Sequence, residues 1–197
     1  MNMNVWRRRE FLKFLGRAGV LSSAYTLVPL TSVSSCGIKS PEPKLFPSRK
    51  DDLILAEGLD YHLVAGWGDA INDTDTFGFN NDYTAFIPTS KESMDEGLLW
   101  VNHEYASQLF VSGYDGGDKS KEQVDKEQYA LGGSIIKIRK EGKQWKLQPN
   151  DALNRRITAK TPIPFHWDVP IVGETTAIGT FGNCSGGLTP WGSILTC

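Results

Sequence analysis

Residues 132–148 read GGSIIKIRKEGKQWKLQ, and this stretch has the pattern of a β-hairpin. Apolar and polar residues alternate on both sides of KEGK (140–143), as they do in strands with one buried face. The glycine at position 142 suits a tight turn between the two runs. The stretch therefore predicts two antiparallel strands in close succession.

Short apolar runs elsewhere in the chain predict further strands, separated by loops rich in glycine. These runs are LILAEG (53–58), YHLVAGWGD (61–69), YTAFIPT (83–89), GLLWVNHEY (97–105) and GSILTC (192–197). Only SKEQVDKEQY (120–129) has the character of a helix, polar on most sides with a weak apolar stripe. With 20 glycines and 10 prolines, the chain is predicted to be mostly β.

The totals limit what the chain can be. A length of 197 residues suits one domain or a little more, and 40% hydrophobic residues can form a packed core. The formal net charge is −2, so no general electrostatic argument favours binding to nucleic acid.

The N-terminal segment 1–36 is predicted to be an export signal. RRREFLKFLG (7–16) has the spacing of a twin-arginine signal, and an apolar stretch from Ala18 to about Val33 follows. VSSC (33–36) resembles a bacterial lipobox, which predicts cleavage before Cys36 and lipidation of its thiol; ordinary signal-peptidase cleavage nearby is the alternative. Residues 37–50, with three prolines, are predicted to be a tether. The protein is thus expected in the periplasm or on the cell surface, anchored to a bacterial membrane.

The segment INDTDTFGFNNDY (71–83) is rich in Asn and Asp, whose oxygens are the ligands that calcium prefers. An EF-hand loop that begins at Asp73 is rejected, because Phe77 would take the fifth position and Thr84 the twelfth, where Glu belongs. Two readings stay open: a calcium site that includes Asp82, or a turn in which the side chains bond their own backbone.

The end of the run GLLWVNHEY places three polar side chains after an apolar strand. Along a strand, Asn102 and Glu104 share one face, where they suit a metal or a phosphate, and His103 takes the other. A lone histidine is more often a hydrogen-bonded structural residue than a ligand.

Near the end of the sequence, GNCSGG (182–187) has the glycines of an anion-binding nest, and Cys184 and Cys197 lie 13 positions apart. In an exported protein the two cysteines suit a disulfide. As thiolates they would favour a soft or borderline metal such as iron or zinc. Since no CxxC pair is present, a zinc ribbon is not expected.

The order of the motifs resembles that of the PhoX-type alkaline phosphatases. The motifs are FGFNNDYTAFIP (77–88), GLLWVNHEY (97–105), GGSIIKI (132–138), NRRITAKT (154–161) and GTFGNCSGGLTPWGSILTC (179–197). The resemblance covers about residues 55–197 and implies that residues 51–197 are the first part of a catalytic β-propeller. Members of that family continue past this point as TPWGxxLTCEEN, so the resemblance also implies a truncated fragment, inactive by itself.

What the resemblance implies for chemistry is the hydrolysis of phosphate monoesters at a site of ferric iron and calcium. Glu104 and Asp82 then become candidate metal ligands, and one of Cys184 and Cys197, with Cys197 preferred, a candidate iron ligand. Asn102 and Asn183 become candidates for contact with the substrate phosphate or a metal. The alternatives are an exported propeller lipoprotein that binds without catalysis, and a phosphodiesterase or lactonase of similar architecture.

Overall fold

The predicted hairpin lies in a five-stranded antiparallel sheet. The computed structural model describes Lys13 and residues 47–197. The strands of the sheet are β1 (Asn81–Pro88), β2 (Glu96–His103), β3 (Gly132–Glu141), β4 (Gln144–Leu147) and β5 (Arg155–Ile157). They follow the order β1-β2-β3-β4, and β5 also pairs with β3. The hairpin prediction is thus confirmed, with a two-residue turn in which Gly142 has a φ of +63°.

Strand β3 has three neighbours because two short strands share one of its edges. Its beginning pairs with β5, where Gly133 faces Ile157, and its end pairs with β4, where Ile138 faces Leu147. Its other edge pairs with the full length of β2, from Gly132 to Arg139, so that β2 and β3 form the middle of the sheet. The last four residues of β2 are buried as a consequence.

Four shorter strands form two separate hairpins after this sheet. They are β6 (Pro162–Pro164) with β7 (Thr176–Ile178), and β8 (Gly186–Leu188) with β9 (Ile194–Thr196). Two helices, α1 (Gln108–Ser112) and α2 (Lys121–Ala130), lie between β2 and β3 in the chain. Helix α2 confirms the predicted helix, and Ser120 and Gln123 form a capping box at its start.

The hydrophobic core lies where the loop 71–77 packs on the sheet. Its buried members come from that loop and from β2 and β3: Ile71, Phe77, Val101, Ile136 and Ile138. Apolar side chains of β1 and β4, among them Phe86 and Trp145, pack against it, with their rings in edge contact 5.2 Å apart. The alternation seen in the sequence of β3 thus has its physical cause in one face of the sheet that must be buried.

A buried arginine on β5 joins this sheet to helix α2. The side chain of Arg156 donates hydrogen bonds to the backbone oxygens of five residues: Thr76, Tyr129, Ala130, Leu131 and Gly133. Three of these oxygens lie at the C-terminal end of α2, where carbonyl groups lack partners within the helix. Burial lowers the pKa of Arg156, while Tyr129 and Asp75 act in the opposite direction.

Two of the strand predictions are wrong, and both concern residues near the boundary between the two compact units of the chain, Met1–His62 and Leu63–Cys197. Residues 53–58 are not a strand, and the amide of Leu59 instead closes a turn onto the oxygen of Ala56. Residues 61–69 are not a strand either, because the carboxylate of Asp69 binds the amide of Gly66 at 2.6 Å and closes a turn there.

The prediction of a mostly β fold is confirmed by these elements, and the structure adds that their strands pair antiparallel. The sheets formed by residues 47–197 are open, so that the propeller stays a prediction. The predicted export signal apart from Lys13, Cys36 with its predicted lipidation, and residues 37–46 of the predicted tether lie outside the described residues. Within the described part of the chain, no helix combines the length and the apolar character needed to cross a membrane.

Glycine at position 133 is required by the ring of Trp100. A β-carbon at Gly133 would lie 2.5 Å from Cη2 of that buried ring. We therefore expect Gly133→Ala to lower the free energy of unfolding by about 1–3 kcal/mol, the usual cost of overpacking. Gly187→Ala is the matched control, since a β-carbon there meets no atom within 4 Å. Urea unfolding measures both variants, and equal losses would contradict the explanation.

Candidate functional site

The hairpin β8–β9 brings the two cysteines of the C-terminal segment side by side. The amides of Cys184 and Ser185 both donate to the oxygen of Cys197, at 2.9 and 3.1 Å, and the amide of Cys197 donates to the oxygen of Ser185 at 3.2 Å. Two residues of one strand thus face one residue of the other, which is the pattern of a β-bulge. Both thiols are free and exposed. The structure thus contains no disulfide between them, and the thiolate alternative stays open.

This hairpin packs closely against the first strand of the sheet. A β-carbon on Gly186 would lie 2.5 Å from Cε1 of the Tyr83 ring, so only glycine permits this approach. Asp82, the candidate calcium ligand, precedes Tyr83 in β1, and its side chain is exposed.

A buried polar network ties the hairpin to β2. The amide oxygen of Asn102 accepts hydrogen bonds from Nε1 of Trp100 at 2.6 Å and from the hydroxyl of Thr196 at 2.8 Å. The amide nitrogen of Asn102 donates to the backbone oxygen of Ser185 at 3.0 Å. The side chain of Asn102 is 0% exposed, so these bonds compensate for the loss of its contacts with water.

The second candidate asparagine belongs to the same network. Asn183 is 1% exposed, and its amide nitrogen donates to the hydroxyl of Thr196 at 2.9 Å. Its amide oxygen accepts from the hydroxyl of Thr180 at 3.0 Å. Asn102 and Asn183, which are 81 positions apart in the sequence, are thus joined through one threonine.

Glu104 lies just beyond the end of β2, where the sequence analysis predicted it. Its amide donates to the oxygen of Asn80 at 3.2 Å, which fixes the backbone, and its side chain is half-buried. Asn102 is only two residues away. The network thus includes a residue two positions before Glu104 and the residue directly before Cys197.

His103 is a structural residue, as a lone histidine usually is. It is 0% exposed, its Nε2 lies 2.7 Å from the hydroxyl of Ser134, and its ring stands edge-on to Phe77. Burial lowers the pKa of His103 to about 3, and the positive charge of Arg156 contributes to the shift. The backbone of Phe79 counteracts the shift in part, although Nδ1 lacks a hydrogen-bond partner of normal geometry. At neutral pH the ring is therefore uncharged.

The Asx-rich segment forms the turn that was the alternative to a calcium site. The side-chain oxygen of Asn72 accepts from the amides of Thr74 and Asp75, at 2.9 and 2.7 Å. Asp75 in turn accepts from the hydroxyl of Tyr129 at 3.2 Å. These side chains are used within the protein, and Asp82 lies outside the turn.

The candidate ligands are compatible in chemistry with iron and calcium, but they do not form a complete site by themselves. Free thiols suit iron, and carboxylates such as Glu104 suit calcium. Among the residues that the structure describes, no group of three or more His, Cys, Asp or Glu is close enough to hold a metal ion. These residues fit as a part of a ligand set.

Sequence reasoning missed the residues that connect the candidates. Thr196, Trp100 and Thr180 hold Asn102 and Asn183 in place, yet the sequence analysis assigned a role to none of them. Thr180 and Thr196 also line a cavity of about 250 Å³, together with the apolar residues Trp100, Ile157, Ile163 and Ile194. The only signal for Thr196 is its position directly before Cys197.

Comparisons with known proteins identify the family. No match was found among curated proteins or among solved structures. The model of the family described as alkaline phosphatase PhoX matches residues 42–197, which is most of the chain. This match agrees with the order of the motifs and with the described antiparallel fold. The chain therefore belongs to the PhoX family of alkaline phosphatases.

Proposed function

We propose that the protein is an exported, metal-dependent phosphomonoesterase that releases phosphate from organic phosphate esters. The observation that carries this proposal is the match of the PhoX family model over residues 42–197. The arrangement of the candidate residues supports it, because one network connects the segments of two exposed thiols and a carboxylate.

The proposed ligands divide by their chemistry. Cys197, or else Cys184, would hold ferric iron, and the carboxylates of Glu104 and Asp82 would hold calcium or iron together with ligands outside this set. When bound, the metal ions would neutralise the charge on the phosphate oxygens and on the leaving oxygen. The chain's own task would be to keep these ligands in place, and the buried network of Asn102 and Asn183 supports this role for the segment of Cys197, because both asparagines bond to Thr196.

Export and anchoring are part of the proposal and rest on the sequence alone. The twin-arginine motif at 7–16 supports export through the twin-arginine machinery, and VSSC (33–36) supports lipidation at Cys36. Both would put the catalytic part outside the cytoplasm, where phosphate esters too polar to cross a membrane can be hydrolysed.

The proposed function is tested on the protein expressed from its own gene and matured with iron and calcium. We expect it to hydrolyse 4-nitrophenyl phosphate, and we expect Glu104→Gln and Cys197→Ser each to lower kcat by about 100-fold or more, since loss of a metal ligand removes a metal or distorts its site. Glu141→Gln, at the exposed turn of the β3–β4 hairpin, is the control and should keep full activity.

The substrate panel separates the alternatives. Hydrolysis of a phosphodiester or a lactone, with no release of phosphate from monoesters, would replace the proposed reaction by a related one. If no substrate in the panel is turned over with either metal, the protein is a binding member of the family and the proposed function is wrong.

A further inference from the structure

In the polar network, the donor and the acceptor of each hydrogen bond can be assigned, starting from the indole nitrogen of Trp100. Nε1 of an indole ring can only donate, so the side-chain atom of Asn102 that faces Trp100 at 2.6 Å must be the oxygen. The hydroxyl of Thr196, 2.8 Å from the same oxygen, must therefore donate to it.

The direction then extends through Thr196 to the second asparagine. A hydroxyl has one proton, and that of Thr196 is used on Asn102, so Thr196 must accept from its other neighbour. The atom of Asn183 that lies 2.9 Å away is therefore the amide nitrogen. The amide oxygen of Asn183 consequently faces Thr180, whose hydroxyl donates to it at 3.0 Å. The hydroxyl of Thr196, which donates to one asparagine and accepts from the other, is thus the link between Asn102 and Asn183.

The two asparagines have little left to offer a substrate. Their oxygens already accept, one from two donors and one from a single donor, and an amide hydrogen of each is also used. Both side chains are at most 1% exposed. Their contribution to a neighbouring site is therefore to position the segments that form it, and not to bind a substrate or a metal directly.

The segments that the two asparagines hold, the β8–β9 hairpin and the end of β2, contain or adjoin the candidate metal ligands. Thr196 directly precedes Cys197, and Asn102 stands two residues before Glu104. The amide of Asn102 also binds the oxygen of Ser185, next to Cys184. We infer that Thr196 is the positioning residue of a metal-thiolate site, because its hydroxyl fixes the hairpin of Cys184 and Cys197 against the strand that leads to Glu104.

This inference rests on the proposed function in that it places a metal at the thiols, and cobalt(II) alone tests it without any turnover. A thiolate bound to cobalt(II) gives a charge-transfer band, so titration of the protein followed at this band measures binding by the thiols themselves. We expect Thr196→Val to weaken cobalt binding by about 10–100-fold, which is typical for loss of a residue that orients a metal ligand.

Two further variants separate positioning from stability. Thr196→Ser keeps the hydroxyl and is expected to keep the affinity of the wild type. Thr189→Val removes a buried hydroxyl of the same hairpin, which accepts from the amide of Ser193 at 2.9 Å but makes no hydrogen bond to Asn102, Asn183 or Thr196. It should lower the thermal stability as Thr196→Val does and leave the affinity for cobalt unchanged.

Each outcome decides the question. The inference is overturned if the wild type gives no thiolate band, if Thr196→Val binds as the wild type does, or if Thr189→Val loses as much affinity. A wild type that hydrolyses phosphate monoesters while both valine variants bind cobalt equally would leave the proposed function intact and refute the role of Thr196. If the wild type has no phosphatase activity but its affinity for cobalt depends selectively on Thr196, the proposed function is refuted and the role of Thr196 is supported.

Discussion

Replacing Arg156 with methionine is expected to lower the free energy of unfolding by about 3–5 kcal/mol, a large loss for a single substitution. The methionine fills the space of the arginine stem but donates no hydrogen bond. Five backbone oxygens then lose the donor that Arg156 supplies, three of them at the end of helix α2. Because these carbonyl groups are largely buried, water cannot fully replace the guanidinium.

The neighbouring residue provides a matched control for this variant. Arg155 is exposed, and its side chain donates to the oxygen of Leu153 alone at 2.8 Å. Arg155→Met should therefore cost less than about 1 kcal/mol. Urea unfolding of the two variants at the same pH measures the difference. Similar losses for both would contradict the explanation that Arg156 stabilises the end of helix α2.

The contrast between these two arginines shows where sequence reasoning ends. In NRRITAKT nothing local distinguishes Arg155 from Arg156, because both suit a short strand. Which of them is buried depends on the pairing of β5 with β3, and this pairing joins residues that are 20 to 24 positions apart. The sequence predicted the β3–β4 hairpin, by contrast, because all its determinants lie within 17 residues.

Local competition explains the wrong strand at residues 61–69. Its apolar residues favour a strand, but Gly66, Gly68 and Asp69 favour a turn, and the side chain of Asp69 supplies the bond that decides for the turn. The core still uses Val64 and Ala65, which pack against the cluster around Ile71. The hydrophobic character was thus a correct indication of packing and a wrong indication of strand pairing.

In the candidate site too, some features follow from the local sequence and others from contacts between distant residues. The position of Glu104 at a strand end follows from an apolar run and its end, and the sequence predicts it directly. The joining of Asn102 and Asn183 depends on a hydroxyl 94 positions from the first of them. Since threonine is common in strands for reasons of packing, no pattern identifies Thr196 as the connection.

Acid is expected to destabilise the protein through His103. The folded state keeps this ring neutral, with a pKa of about 3, while the unfolded chain binds a proton near the ordinary pKa of 6.5. The contribution of His103 to stability is therefore complete above about pH 6.5 and is lost progressively as the pH falls toward 3. The full loss is about 5 kcal/mol, at about 1.4 kcal/mol per pH unit.

The measurement compares the wild type with His103→Gln between pH 7.5 and 5. Glutamine can keep a hydrogen bond to Ser134 but binds no proton, so its stability lacks this dependence on pH. The difference in the free energy of unfolding between the two proteins should shift by about 2 kcal/mol over this range in favour of the variant. His166→Gln is the control for the exchange of histidine for glutamine as such, because His166 is exposed. If the profile of His103→Gln runs parallel to that of the wild type, the folded protein accepts a proton on His103, and the explanation by burial beside Arg156 is wrong.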